Sequence, residues 1–477
     1  MFQMTKYGTN ARTEVLAGLT MFAAMAYIIP VNASILGDNG AGIPSGAVIL
    51  ATCIAAAAGT ALMSLWANLP YGMAPGMGLN AFFTFTVVFA LGFSWQQALA
   101  MVFLSGAVDL LVTATGVRKH IIASIPAALR TAMGVGIGLF IAYIGIKDAG
   151  LLSFTSDPGH NVDVGGGTVV SDSGAVPALV PLNTTVLILA VCAIALTVIL
   201  YVFKVKGAIL ISIVLTTIAG AFIPPVADRV AMDWGSYFGN LGGSFGQLGS
   251  VFGQSITSIP SLFSDPKKIV LVIATIFAFS MTGLFDELGT SLGLGRSSGL
   301  FSEEEIDDVA KTNSFKTRFA KSLVPPSIAT MFGSLFGTSN TTTYVESSTG
   351  IGAGGRTGMT SLVTAGLFLI SIVIEPLVQA VPGYATAPAL IVVGVLMMSR
   401  IGDIEWGDHN MLEETIPAFL TIIIMPFAYS ITTGIAVGTI VYCLIKLCRG
   451  KIKQIHPVLA IVALLFVAYF VNTALNG

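Results

Sequence analysis

Ala74-Pro75-Gly76-Met77-Gly78-Leu79-Asn80-Ala81-Phe82-Phe83 lies inside an apolar run over residues 70–91. Its counterpart in the second half of the chain is Phe336-Gly337-Thr338-Ser339-Asn340-Thr341-Thr342-Thr343-Tyr344-Val345-Glu346-Ser347. Neither stretch can form a continuous helix facing lipid. Pro75 and the glycines break the first, and an unbroken run of hydroxyl and amide side chains, Thr338–Thr343, interrupts the second. Backbone freed from a helix at membrane depth has to be buried in protein or line a cavity. A half-helix starting after each break aims its first N–H groups at that cavity. The two breaks therefore mark a site before any other residue is considered.

The rest of the chain places them in a membrane. Hydrophobic residues make up 55% of its 477 residues and charged residues 10%, against about 25% charged in a soluble domain. So little charge cannot cover a water-facing surface, and lipid must be the solvent. A net charge of −2 gives no reason to expect nucleic acid as a partner. Cys53, Cys192, Cys443 and Cys448 form no CxxC pair and read as small buried hydrophobes. None of the four histidines sits in the middle of an apolar segment, which argues against haem. No cofactor and no metal are expected. The first apolar run follows Lys6 and Arg12 and is long enough to span, the pattern of a signal anchor rather than of a cleaved leader.

A spanning helix needs about 20 mostly apolar residues. Such runs lie near 15–36, 45–66, 70–91, 95–115, 126–147, 183–203 and 206–226. After a polar, Gly- and Ser-rich stretch over 227–264, they resume near 267–289, 318–337, 341–354, 357–379, 385–400, 411–429, 431–447 and 456–475. The last is left open as a span or an interfacial helix. Positive residues set the orientation. With the N-terminus cytoplasmic, Arg118, Lys119, Lys204, Lys206, Arg296, Arg318, Arg356 and Lys446 all fall on the inner side, whereas the opposite loop 148–182 carries Asp157, Asp163 and Asp172 and no Lys or Arg. Seven spans in each half make the halves inverted with respect to each other, with the broken segments at the third position of each. That is a recurrent plan of secondary transporters, whose site lies between broken helices at the midplane.

An ionisable group at the bilayer centre costs at least about 2.5–3.5 kcal/mol, so intramembrane acids are candidates for function. Asp109, Asp286, Glu287 and Glu346 qualify. Adjacent helical residues point about 100° apart, so Asp286 and Glu287 are not expected to face one cavity, whereas Thr290 shares the Asp286 face. A carboxyl accepts hydrogen bonds when ionised and can also donate when protonated, which suits both a polar ligand edge and a proton carrier. Asn32, just after Pro30 in the first span, can donate and accept; an interhelical hydrogen bond is the alternative there. The mixed-charge run 302–321 reads as a solvated loop.

At these residues the chain resembles the azaguanine-type (AzgA-like) purine permeases of the nucleobase–ascorbate transporter superfamily. The likeness rests on Thr13–Thr20, Met25–Asn32, Ala74–Phe83, Phe285–Thr290, Gly337–Ser347, Gly354–Gly358, Ala385–Leu390 and Ile416–Phe419, in order along nearly the whole chain. The resemblance implies an all-α polytopic fold like that of uracil permease, with about 14 transmembrane segments in two inverted seven-span repeats and half-helices in spans 3 and 10. A core domain would comprise 13–115 and 265–381, a gate domain 118–226 and 382–477, with 227–264 as the connection. It further implies import of adenine, hypoxanthine or guanine by proton symport, and a homodimer in the cell membrane. By this likeness Asp286 matches the eighth-span acid that holds the base, and Glu346 the tenth-span residue that reads its other edge. Asn32 matches an important Asn of this branch, and Asn80 and Phe82 border the site. Thr343 joins them from the second break, and Phe82 or Phe285 would stack on the base. One departure is Gly283, where many members carry a further Asp. Proton coupling is accordingly assigned to Asp286 and Glu346, with Glu287 and Asp109 as possible sharers.

Two other classes are weighed. The same scaffold can carry xanthine, urate, uracil or ascorbate, or act as a purine channel without coupling. An enzyme is not expected, because no catalytic dyad, metal cluster or nucleotide-binding strand–loop–helix is present in the sequence.

Overall fold

The computed structural model describes residues 2–115, 126–155, 161–163, 169–171, 176–223, 237–266, 268–301, 317–407 and 412–476. The first span is made of α1 (Ala11–Met25) and α2 (Ile28–Leu36). The Asn10 side chain caps α1 by accepting from the Thr13 N–H. Pro30 brings no N–H to the first turn of α2, which helps explain the break at Ala26–Tyr27. α3 (Ser45–Leu62) continues through wider π-type turns and ends at Asn68 in a left-handed conformation.

Then comes the first broken segment. Strand β1 (Met73–Pro75) precedes α4 (Met77–Ala81), which widens into π-type turns to Ala90. α5 (Trp95–Thr115), α6 (Ala127–Asp148), α7 (Thr185–Val202) and α8 (Ala208–Ala221) complete the first half. Between α6 and α7, β2 (Leu152–Thr155) pairs with β5 (Val176–Leu179), and β3 (Asn161–Asp163) with β4 (Val169–Ser171).

The connection 227–264 contains helices: α9 (Tyr237–Val251), α10 (Gln254–Thr257) and α11 (Ile259–Leu262). α9 lies against α3, and α10 and α11 against α5. The second half follows with α12 (Ile269–Ser297), α13 (Arg318–Ser322), α14 (Pro325–Phe336), β6 (Thr341–Thr343) and α15 (Ser347–Gly352). α16 (Gly358–Ile370), α17 (Glu375–Gln379), α18 (Gly383–Met398), α19 (Leu412–Phe427), α20 (Ile431–Cys448) and α21 (Pro457–Asn476) close the chain. Among the described residues, eight helical stretches are long and apolar enough to cross a membrane, and four shorter apolar ones accompany them. Large apolar side chains such as Val202, Leu215 and Leu464 stand exposed on them, as expected where lipid replaces water.

Two packing groups are visible. α6, α7, α8, α18, α19 and α20 pack mainly on one another, while α1, α2, α3, α5, α12, α14 and α16 form the other group. α6 and α18 cross closely. A Cβ on Gly138 would lie 2.8 Å from the Gly394 carbonyl, and one on Gly394 2.5 Å from the Gly138 carbonyl. Only small residues permit that approach. α21 lies against α20 of the first group and α12 of the second, so the last apolar run is a helix that touches both.

The buried Glu14 side chain joins the two ends of the second group. It accepts from the N–H groups of Arg356 (2.9 Å) and Thr360 (3.1 Å) and from Thr360 Oγ1 (2.6 Å). It therefore satisfies donors at the start of α16 that have no partner within that helix.

Candidate functional site

The two broken segments meet. β1 and β6 run antiparallel, with Met73 opposite Thr343, Ala74 opposite Thr342 and Pro75 opposite Thr341. The pair is extended at both ends: Gly76 N–H donates to the Asn340 carbonyl (2.8 Å), and Tyr344 N–H to the Gly72 carbonyl (2.9 Å). Gly72 N–H donates to Ser347 Oγ (2.9 Å), and the Tyr344 hydroxyl to the Pro75 carbonyl (2.6 Å). Each break thus supplies the backbone partners the other has lost, so non-helical chain survives inside the protein. Gly76 is required by this approach, because a Cβ there would lie 2.9 Å from Thr342 Oγ1.

Around this junction the three acids part company. Glu287 points inward and is 4% exposed. It accepts from Thr343 N–H (3.0 Å), Thr343 Oγ1 (3.0 Å) and Ser291 Oγ (2.6 Å), tying α12 to β6. Glu346 sits at the start of α15 and accepts from the Tyr27 hydroxyl at 2.6 Å. Asp286 lies beside the Thr342 side chain and lines a cavity of about 520 Å³, within the range of small-molecule sites. Of these three carboxyls it is the one on that wall. Thr282 and Thr290, one turn to either side of it on α12, also line the cavity, as do Leu79, Ser348 and Ile137. The cavity separates the two packing groups. Its walls come from α4, α12 and α15 on one side and from α6 and α18 on the other.

The remaining sequence candidates lie behind this wall. Asn32 is buried, and its Nδ2 donates to Thr52 Oγ1 (2.7 Å) and Thr338 Oγ1 (3.0 Å), joining α2 to α3 and to the second break. The Asn80 side chain accepts from Ser339. Phe82 is buried edge-on against Phe279, with ring centroids 4.5 Å apart. Asp109 on α5 accepts from Ser280 on α12. A Cβ at Gly283 would stand 3.7 Å from Asp109 Oδ2 and 3.9 Å from Asn340 Nδ2. The carboxyl near position 283 is therefore supplied from another helix. The Phe285 side chain lies outside the described residues.

Sequence reasoning passed over Tyr27, Thr282, Ser348, Arg130 and Arg400. The two arginines stand at the start of α6 and just after α18 and line the same cavity. Thr282 carries the same four-residue spacing from Asp286 as Thr290, and that spacing was a signal available in the sequence.

A largely apolar cavity with one carboxyl on its wall, set between two groups of membrane-spanning helices beside paired broken segments, is the layout of a multi-pass membrane transporter. Residues 12–437 match the model of the permease family designated Xan_ur_permease, and the chain belongs to that family. The adenine permease AdeP of Escherichia coli is 38% identical over 468 residues, 98% of this chain and 94% of its own length. The guanine/hypoxanthine permease PbuG of Bacillus subtilis is 37% identical over 479 residues, 98% of each chain. The nucleobase transporter PlAzg2 of Paenibacillus larvae is 37% identical over 433 residues, 91% of this chain and 77% of its own. Among solved structures, the transmembrane domain of the cyanobacterial bicarbonate transporter BicA superposes with a TM-score of 0.58 at 17% identity, covering 90% of this chain and 97% of that one. SLC26A9 gives 0.58 at 12% identity, over 94% of this chain and 66% of its own. These likenesses concern the fold, and they agree with the uracil-permease-like architecture expected from the sequence.

Proposed function

We propose that this chain imports purine nucleobases (adenine, hypoxanthine or guanine) across the cell membrane by proton symport. The observation that carries the reading is Asp286 on the cavity wall, with Thr282 and Thr290 on the same helical face and Thr342 beside it. A carboxyl flanked by hydroxyls can accept from a ring or exocyclic N–H and, when protonated, donate to a ring nitrogen or carbonyl. The names of the near-full-length relatives AdeP and PbuG support purines as the cargo. Leu79 and Ile137 supply apolar faces for the rings.

In this reading the group containing α12 is the moving core and the group containing α6 and α18 the gate. Protonation of Asp286 removes the cost of carrying a buried charge across the membrane together with the base, so the core reorients when it holds base and proton and not when it holds the base alone; once both are released inside, the empty core returns. Glu346, held by Tyr27, reads the other edge of the base once the core closes on the gate. Glu287 holds the Thr-rich strand that frames the site. Asp109 shares the proton through Ser280.

The test is uptake of radiolabelled adenine, hypoxanthine and guanine into proteoliposomes, with and without an inward proton gradient. Gradient-driven accumulation of any of them is expected in the wild type and is lost in Asp286→Asn. Accumulation in that variant that still follows the gradient would overturn the role of Asp286. Absence of uptake for every purine would overturn the substrate.

A further inference from the structure

A carrier that works by alternating access is shut on one face while it is open on the other. The open face here is that of Arg400 and Val345, which line the Asp286 cavity and are more than half exposed. α6 leads from that face to the other. Arg130, in its first turn, lines the same cavity, and Lys147 stands in its last turn. At about 1.5 Å per residue, the step from Arg130 to Lys147 (147 − 130 = 17) covers roughly 25 Å, so Lys147 lies near the opposite membrane surface.

At that end a set of rings joins the two packing groups. Phe85 belongs to the turns that continue α4, on the side of α12. Phe140 lies on α6, and Tyr429 on the turn between α19 and α20, in the other group. Phe85 meets Tyr429 and Phe140 edge-on, with ring centroids 5.4 and 6.4 Å apart, and Phe140 meets Tyr429 at 5.3 Å. Edge-to-face pairs at such distances attract. Lys147 covers them. Its Nζ donates to the Tyr429 hydroxyl (3.1 Å) and lies 4.9 Å from the centre of the Tyr429 ring and 6.0 Å from that of Phe85, within reach of a cation–π contact. Phe85 and Phe140 are buried, Tyr429 is half-buried and Lys147 is exposed, so the stack runs from the interior to water. Tyr429 also holds a left-handed backbone conformation, with φ at 49°. A bulky residue seldom adopts it and keeps it where the surroundings fix it.

We propose that Phe85, Tyr429 and Lys147 are the seal that closes this carrier on the face opposite the cavity. Among the described residues, Phe85 is the one ring on the α12 side that meets rings of the other group. Movement of the α12 group therefore parts Phe85 from both partners at once, while the bond between Lys147 and Tyr429 stays within its own group. This rests on the reading of the α12 group as the moving core.

The test measures from which face the cavity can be reached. Ser348, exposed on the cavity wall, is changed by Ser348→Cys in a chain whose exposed cysteines are removed by Cys192→Ser and Cys448→Ser. A membrane-impermeant thiol reagent is then applied to vesicles of each orientation. Labelling is expected from the Arg400 face and hardly at all from the Lys147 face. Adding Phe85→Ala should raise labelling from the Lys147 face roughly tenfold, through two lost edge-to-face pairs. Lys147→Met, which removes only the cation from an exposed site, should raise it about threefold. A loss of packing alone would lower the amount of folded protein without changing the sidedness. Equal labelling of the parent from both faces would overturn the proposal. So would unchanged sidedness in both variants when each elutes as folded protein. If Phe85→Ala does not fold, Lys147→Met decides. The assay needs no substrate. Failure of adenine, hypoxanthine and guanine to slow the labelling would count against the purine reading and leave the seal standing.

Discussion

Glu287 and Asp286 are neighbours in sequence with opposite surroundings, and substituting each by its amide separates them. Glu287→Gln keeps one oxygen for Ser291 and Thr343 Oγ1 but turns an NH₂ toward the Thr343 N–H, which now donates to Glu287 Oε2 at 3.0 Å. Two donors then face each other at a site 4% exposed. One lost bond and an orphaned buried donor cost about 1–3 kcal/mol. At a scale of roughly 2 °C per kcal/mol for a large chain, the melting temperature of the purified protein should fall by about 2–6 °C. The strand framing the site loosens with it, so uptake is reduced but still follows the proton gradient. Asp286→Asn keeps an acceptor for Thr342 and faces the cavity; its melting temperature should stay within about 1 °C while gradient-driven uptake disappears. The assay pairs thermal unfolding in detergent with proteoliposome uptake at two gradients. Unchanged melting and abolished gradient dependence in Glu287→Gln would refute the division of roles drawn here.

Three further outcomes are expected. Glu14→Ala strands the N–H donors of Arg356 and Thr360 and should lower thermal stability by about 2–6 kcal/mol, at roughly 1–3 kcal/mol for each of the two orphaned donors, without changing substrate preference in competition assays. Gly394→Val places side-chain atoms against the Gly138 carbonyl and Ala142; it should abolish the folded peak in size-exclusion chromatography, whereas Gly239→Val, where a Cβ meets nothing, should not. Tyr27→Phe removes the 2.6 Å bond that holds Glu346. It should raise the KM for uptake severalfold while costing only about 1 kcal/mol in stability.

Much of this was legible before any coordinates. Pro75, the nearby glycines and the Thr338–Thr343 run announced both breaks, because each violates helix chemistry where lipid permits nothing else. The 100° offset between Asp286 and Glu287 foretold that they would not face one cavity, and the turn spacing put Thr290 beside Asp286. What could not be read was which way each rotated, since that depends on how α12 packs on β6. Asn32 and Phe82 read as site residues because polar or aromatic groups at depth invite function, but packing spends them on Thr52, Thr338 and Phe279. Arg130 and Arg400 went unnoticed for the opposite reason: positive charge at a helix end is already explained by membrane orientation. The substitution of Asp109 for an acid at position 283 joins two helices, and no local pattern records it.

The ladder between β1 and β6 also sets a timetable for making the protein. Pro75 and Thr341 are 266 residues apart in the chain (341 − 75). At about 5–20 residues per second, the ribosome needs on the order of tens of seconds to deliver the second strand after the first. Until then the Gly76 N–H and the Gly72 carbonyl lack the partners that Asn340 and Tyr344 give them, and lipid offers none, although Thr60 already meets both backbone groups of Met73. The first half therefore cannot finish folding when it is inserted. It has to wait beside water or the insertion machinery, and its maturation is tied to the arrival of the second half.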